Sequence, residues 1–192
     1  MLVKGHDFPN VTLVVVMFAD SLFRFPDFRA NERAYQTLLQ VIGRSGRGDK
    51  KGIALIQTYE PEHPIFEVLL GNVSEESFIE HEREMRQELG YPPFGRIARL
   101  RLEGKNKAET FRRAEQLAEG LRGWVLKNEG ENCEILGPSD AFIERVNDAY
   151  RFDLLLKSQK AVTLQKCIGI GREWAEKTEQ DLLIDVDPYG MG

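Results

Sequence analysis

The sequence predicts a chain of two architectures: an α/β segment built as strand, helix, strand, then an α+β segment of order β-α-β-β-α-β. Two observations carry this. Early in the chain, two short apolar runs rich in β-branched residues flank a stretch with helical spacing, and neither run alternates. Later, apolar and charged residues alternate with period two, between two long helical stretches. Tyr91-Pro92-Pro93-Phe94 is the clearest boundary between the two regimes.

Taken in order, Thr12–Phe18 reads as a parallel strand buried on both faces, preceded by the loop Lys4-Gly5-His6-Asp7-Phe8-Pro9. Asp27 is placed to cap a helix running to Ile42, with Ala34, Leu38 and Ile42, and Tyr35 and Leu39 alongside, as its buried stripe. Gly43 stands where helices commonly end on a glycine. Ile53–Thr58 is the second strand. Two strands leave sheet faces and an edge uncovered, so the chain is expected to begin inside a larger domain. A short helix follows from Pro64 to Leu70, and Ser74 caps another that runs to Leu89 and stops at Gly90.

From Arg96 to Glu103 the alternation puts Ala98, Leu100 and Leu102 on one face and Arg99 and Arg101 on the other. Asn106 and Glu109 form a capping-box pattern for a helix burying Phe111, Ala114, Ala118, Leu121 and Val125. Cys133–Leu136 is extended, Gly137-Pro138 turns, and Phe142–Val146 is extended again. Asn147-Asp148 is a two-residue hairpin turn leading into a strand that buries Tyr150, Phe152, Leu154 and Leu156. A helix from Lys160 to Lys177 and a strand over Leu182–Val186 complete the ferredoxin-like order. That arrangement hosts many functions and names none.

Composition narrows the class. With 192 residues, 42% hydrophobic and 30% charged, the chain reads as an ordinary soluble protein of one large or two small domains. No apolar run approaches the roughly 20 residues of a membrane span, and Met1 to His6 lacks a signal-peptide pattern. Cys133 and Cys167 have no C-x-x-C neighbour, so no zinc site or disulfide framework is readable. No metal ligands are assigned, and a reducing, cytoplasmic setting is expected. A net charge of −5 argues against a uniformly basic coat for nucleic acid. The charge is segregated, however: Arg24 to Lys51 is basic, whereas nine glutamates between Glu60 and Glu88 face only Arg83 and Arg86.

One stretch carries chemistry. Gln40-Val41-Ile42-Gly43-Arg44-Ser45-Gly46-Arg47 ends a helix and presents two arginines three residues apart. The guanidinium fork suits phosphate oxygens, and Gly43 and Gly46 let backbone approach a ligand closely. A solvated basic loop is the plain alternative. The pattern Q-x-x-G-R-x-G-R resembles motif VI of superfamily-2 helicases, whose arginines reach the γ-phosphate of ATP.

Four further blocks point the same way. Lys4-Gly5-His6-Asp7-Phe8-Pro9 is similar to motif V of the replication-restart helicase family PriA (primosomal protein N′). Asp27-Phe28-Arg29-Ala30 with Glu32-Arg33, then Leu89 to Phe94, then Leu183 to Pro188, resemble later blocks of that family in the same order. The resemblance spans essentially the whole chain. It implies the C-terminal part of an ATP-driven 3′→5′ DNA helicase that recognises stalled or branched forks and starts primosome assembly. The implied domains are residues 1–73 as the end of a RecA-like lobe (a βαβ remnant), 74–95 as a helical junction, and 96–192 as the C-terminal domain. ATP and Mg2+ would serve the full-length protein, and zinc would belong to its upstream region. No G-x-x-x-x-G-K-[ST] loop or Walker B strand is present in the sequence, so this chain is expected to be inactive alone and to hold no cofactor.

The resemblance also distributes roles. Arg44 and Arg47 would stabilise charge on the transferring phosphoryl group, with Gln40 orienting an arginine or a nucleotide oxygen. Gly43, Gly46, Lys4, Gly5 and Asp7 would line the nucleotide cleft. Phe23, Phe25 and Phe28 either stack on bases or pack under the loop. Arg99, Arg101, Arg145 and Arg151 would face branched or single-stranded DNA, or be a solvated face. Lys160 and Gln165 would hold the acidic tail of single-stranded DNA-binding protein, although Ala161 stands where the family has a basic residue. Other primosome proteins are implied partners, no membrane is, and the setting is the bacterial cytoplasm near the nucleoid. A stand-alone nucleic-acid or protein-binding module without ATPase activity is the alternative, supported by the complete β-α-β-β-α-β segment.

Overall fold

The computed structural model describes residues 11–45, 52–128 and 131–190. It is a mixed α and β structure with two sheets, and the chain divides into two units, Met1–Glu84 and Met85–Gly192, each with its own apolar core.

The first unit contains β1 (Leu13–Val16), α1 (Asp20–Phe23), α2 (Ala30–Ile42), β2 (Ile53–Ile56), α3 (Pro64–Leu69) and most of α4 (Glu75–Glu88). β1 and β2 pair in parallel, from Leu13 opposite Ile53 to Val16 opposite Ile56. The sequence predicts strands buried on both faces, and here the structure differs. Leu13, Val15, Ile53 and Leu55 are 53–59% exposed, whereas Val14, Val16, Ala54 and Ile56 are half-buried. Among the described residues, helices pack on one side of these two strands. Val16 and Ile56 pack on the core of Ala34, Tyr35, Leu38, Ile65 and Phe66, and among the described residues the opposite side chains join no such cluster.

α2 starts later than predicted. Asp27 is not its N-cap; Arg29 occupies that position and makes no side-chain cap bond. Ala30, Ala34, Tyr35 and Leu38 form the buried stripe, but Leu39 is exposed and Ile42 only half-buried, because the helical face narrows towards its end. α3 begins with Pro64 at its first position, and the His63 ring nitrogen Nδ1 accepts the Ile65 N–H at 3.3 Å. Ser74 caps α4 by accepting the Ser77 N–H at 3.2 Å, as its position in the sequence predicts.

The second unit holds β3 (Arg96–Gly104), α5 (Lys107–Lys127), β4 (Glu134–Val146), β5 (Ala149–Ser158), α6 (Ala161–Thr178) and β6 (Leu182–Val186). The strands form one antiparallel sheet in the order β4-β5-β3-β6. Ala98, Leu100 and Leu102 of β3 and Phe152, Leu154 and Leu156 of β5 make the inner face. They meet Ala114, Leu117, Ala118 and Leu121 of α5 and Leu164, Cys167 and Ile168 of α6. Burying each such leucine stabilises the fold by about 1.5–3 kcal/mol. Leu117 joins this core although the predicted stripe omits it, and Phe111 is more exposed than predicted.

Asn106 caps α5 by accepting the Glu109 N–H at 3.1 Å, but the Glu109 carboxylate turns to Arg113, so only half of the capping box forms. Gly137-Pro138 does not end a strand. β4 runs through it, with a register shift between Leu136 and Ser139. Gly137 has φ +92°, and a Cβ there would lie 2.7 Å from the Asp153 carbonyl, so the bulge requires glycine. Asn147 and Asp148 both have positive φ (48° and 63°), the geometry of the predicted two-residue turn. Cys133 and Cys167 are both buried in the core. A hydrogen bond to Cys167, with burial, pushes the Cys133 thiol above its usual range. Trp124 and Trp174 pack partly buried against the same core.

Candidate functional site

Because β1 and β2 are parallel, the helix between them returns the chain against their direction. Its two ends therefore present different groups. At the C-terminal end, the Gly43 N–H donates to the Leu39 carbonyl at 2.9 Å, Arg44 N–H to Val41 at 3.1 Å, and Ser45 N–H and Oγ to Ile42 at 3.0 and 2.8 Å. These tightened turns satisfy carbonyls that a helix end otherwise leaves open. Gly43 has φ −65°, so it ends the helix without the left-handed turn that usually selects glycine there. A Cβ on it would sit 3.3 Å from the Leu39 carbonyl, a tight fit. Gln40 is exposed in the last helical turn, and Arg44 is half-buried in the tightened turn that follows the helix. Gly46, Arg47, Lys4, Gly5 and Asp7 lie outside the described residues.

At the N-terminal end sits a cluster that the sequence reading missed. The Asp27 side chain is fully buried. Its Oδ1 accepts the Arg29 backbone N–H at 2.9 Å and the Arg29 Nε–H at 3.1 Å, and its Oδ2 accepts from Arg33 at 3.1 Å. Burial alone would raise the carboxyl pKa. The hydrogen bonds from Arg29 and the charges of Arg29 and Arg33 outweigh it, so Asp27 is held below its ordinary value of 3.8. The Phe28 ring lies 4.4 Å from the Arg29 guanidinium carbon. The sequence carries this cluster as Asp-x-Arg-x-x-x-Arg, a pattern in which the acid also has the position of a helix cap.

Asp20 follows β1 and is also fully buried. It accepts the Tyr59 N–H at 3.1 Å and the Thr58 hydroxyl at 3.2 Å, which ties the carboxyl ends of the two strands together. Phe23 is buried, stacked on His63 at 4.1 Å between ring centroids and edge-on to Phe66 at 6.1 Å. It is a core ring rather than a platform for bases. Phe25 and Phe28 are half-buried.

The sheet register of the second unit brings three of the four remaining arginines onto one face. Each stands directly opposite an acid: Arg99 bonds Asp185 at 2.9 Å, Arg101 holds both Asp153 oxygens at 2.7 and 2.8 Å, and Arg151 pairs with Glu103 at 2.7 Å. Lys157 and Glu134 repeat the pattern at 2.7 Å. This outer face is a charge-compensated ladder rather than a bare basic surface. Arg145 lies apart from it, near the hairpin turn, paired with Asp148 at 2.8 Å and 5.2 Å from the Tyr150 ring centroid. Lys160 is the N-cap residue of α6, and Gln165 is exposed on that helix.

Among the described residues no group of three or more His, Cys, Asp or Glu side chains could hold a metal ion, and no helix is long and apolar enough to cross a membrane.

Comparison with known proteins covers the whole chain. Residues 87–189 match the family model of the primosomal protein N C-terminal domain. Over its full length the chain is 37% identical to the replication restart protein PriA of Bacillus subtilis (strain 168), covering 24% of that protein. Its identity to the same-named protein of Synechocystis is 41%, over 82% of this chain and 18% of that one. With the Haemophilus influenzae protein it is 36%, over 100% and 26%. The chain thus spans about a quarter of the length of these relatives. Among solved structures, the designed protein Foldit4 gives a TM-score of 0.37 at 11% identity, over 49% of this chain and 97% of its own. That likeness is too loose to carry an argument.

Proposed function

This chain belongs to the primosomal protein N family of PriA replication restart proteins, and on that premise we propose that it is the C-terminal part of an ATP-dependent 3′→5′ DNA helicase. In this reading the intact protein recognises stalled or branched replication forks and starts primosome assembly. One observation carries the reading furthest: the parallel pair β1 and β2 flanks a helix whose last turn delivers Gln40, Gly43 and Arg44, with Arg47 three residues on in the sequence. That order of elements supports reading residues 1–73 as the end of a RecA-like lobe. The sheet order β4-β5-β3-β6 supports a ferredoxin-like C-terminal domain over 96–192, with 74–95 as the junction.

Arg44, Arg47 and Gln40 would hold phosphate oxygens, and Gly43, Gly46, Lys4, Gly5 and Asp7 would shape the cleft around them. When bound, ATP supplies the phosphoanhydride whose hydrolysis drives the enzyme. The arginines would stabilise charge on the transferring group, an effect of roughly 10³–10⁵ in rate in comparable enzymes. The Asp27 clamp fixes where α2 begins and therefore where its last turn delivers Arg44. Mg2+ and the rest of the nucleotide site belong, in this reading, to the other lobe, and zinc to the upstream region. DNA, single-stranded DNA-binding protein and primosome proteins are its partners, in the bacterial cytoplasm.

The test is Arg47→Ala in the full-length protein that carries this chain. DNA-stimulated ATP hydrolysis should fall by about 10³ or more, while binding to a forked DNA is retained. Loss of both together would assign Arg47 to folding instead, and unchanged hydrolysis would remove it from the chemistry.

A further inference from the structure

The two margins of the second unit's sheet are built differently. β4, at one margin, is broken by two register shifts, after Leu136 and after Asp140, and contains Pro138. Such interruptions are the usual protection of an edge against pairing with another chain. β6, at the other margin, keeps continuous register with β3 from Leu182 to Val186. It has no proline, lysine or bulge, and the carboxylate of its one charged residue, Asp185, is held by Arg99. Among the described residues no strand lies on its outer side. Every second residue of an antiparallel edge strand turns its N–H and C=O outward, so β6 offers an intact row of backbone donors and acceptors.

Beside that edge runs a groove of about 390 Å³ between β6 and the C-terminal half of α6. Its apolar lining comes from Ala175, Leu182 and Ile184, two of which also pack on the core. Its rim carries Glu176, Glu179 and Asp181 against the single cation Arg172. All four charged residues are exposed. Gln180, between them, is fixed by a hydrogen bond from Arg113, so the wall of the groove is anchored to α5.

We propose that β6 and this groove form a docking site for an extended peptide that adds as a fifth strand. Main-chain pairing would supply affinity, and alternate side chains would enter the groove. The occupant is an unstructured protein segment of alternating apolar and basic residues, because the floor is apolar and the rim has three acids for one base. Five residues of β6 span roughly 17 Å, which matches a partner segment of about five residues. An acidic peptide or a nucleic-acid backbone is repelled by the same rim.

The experiment uses the 192-residue chain and a capped peptide of about ten residues alternating valine and lysine. Amide resonances of Leu182–Val186 and of the groove wall should shift, and β6 amides should gain protection from exchange. Glu176→Lys with Asp181→Lys should weaken binding about tenfold. Both positions are exposed, and unchanged tryptophan fluorescence would verify the fold. A peptide N-methylated along the pairing edge, and one with glutamate replacing lysine, should each lose binding. The proposal is overturned if shifts map elsewhere, if charge reversal or N-methylation leaves affinity unchanged, or if no binding occurs at millimolar peptide. It is also overturned if a single-stranded oligonucleotide displaces the peptide, or if β6 proves to pair with a second copy of the chain in sedimentation.

Discussion

The two sheets of this protein solve the same burial problem to different degrees. In the second unit, α5 and α6 cover one face of a four-stranded sheet, and the other face closes with four directly opposed ion pairs, so nearly every inward residue is fully buried. In the first unit, the described residues cover two parallel strands on one side only. Leucine, valine and isoleucine side chains on the other side stand more than half exposed. The small sheet is aliphatic throughout, whereas the large one alternates apolar with charged residues. The described layers that cover them differ as well, and with them the free energy each strand can contribute. The second unit should therefore be the more stable, and the first should depend more on its buried polar anchors.

The comparison can be broken most sharply in the second unit's core. Leu154 is fully buried at the centre of the four-stranded sheet. Leu154→Ala should cost about 3–4 kcal/mol. Both tryptophans of the chain, Trp124 and Trp174, lie in this unit, so their fluorescence in a denaturant titration reads it selectively. A loss below about 1 kcal/mol would mean that the core is looser than its burial indicates.

The anchor of the first unit is next. Asp27→Ala leaves Arg29 and Arg33 without their shared acceptor and should cost about 3 kcal/mol. Exchange of α2 amides should accelerate, while the tryptophan-detected transition stays in place. If both signals moved together, the units would not be energetically separable.

The ion pairs give a smaller effect and a graded one. A double-mutant cycle on Arg101 and Asp153, with side chains 11% and 13% exposed, should show coupling of about 1–2 kcal/mol. The same cycle on Arg145 and Asp148, 53% and 85% exposed, should show less than about 0.5 kcal/mol. Equal couplings would mean that burial does not strengthen the ladder.

The smallest expected effect is a pH dependence confined to the first unit. Burial holds His63 below its ordinary value of 6.5, against the opposing pull of Glu60, Glu82 and Asp20. The unfolded chain therefore takes up the proton at higher pH than the folded one. His63 contributes fully above pH 6.5, and that contribution is lost as pH falls below it. Amide exchange in α3 at pH 7.5 and 5.5 measures this, and His63→Asn should flatten the difference. An unchanged slope in that variant would place the titration elsewhere.

Local pattern made much of this legible. Period-two alternation located Ala98, Leu100 and Leu102 on the inner face, and β6 runs over the predicted Leu182–Val186. Asn147-Asp148 and Asn106 announced their turn and cap because their side chains act within a few residues of the backbone they serve. Asp27 departs from its predicted capping role for the same reason. A capping acid and a buried salt-bridge acid share a local sequence, and only the arrival of Arg29 and Arg33 separates them. Gly137-Pro138 looked like a turn, yet the partner strand β5 continues alongside it and makes it a bulge.

The sequence by itself determined the order of the longer elements, most core-facing positions of the second unit and the arginine-bearing end of α2. These depend on spacing along one chain and on side-chain type, and both are written in the residue order. Tertiary structure decided the rest. Which acid faces Arg99, Arg101 or Arg151 depends on strand register, a relation between residues up to 86 positions apart. Which face of β1 and β2 is buried depends on how many elements pack against it. Which margin of the large sheet stays open depends on where the chain places its last strand.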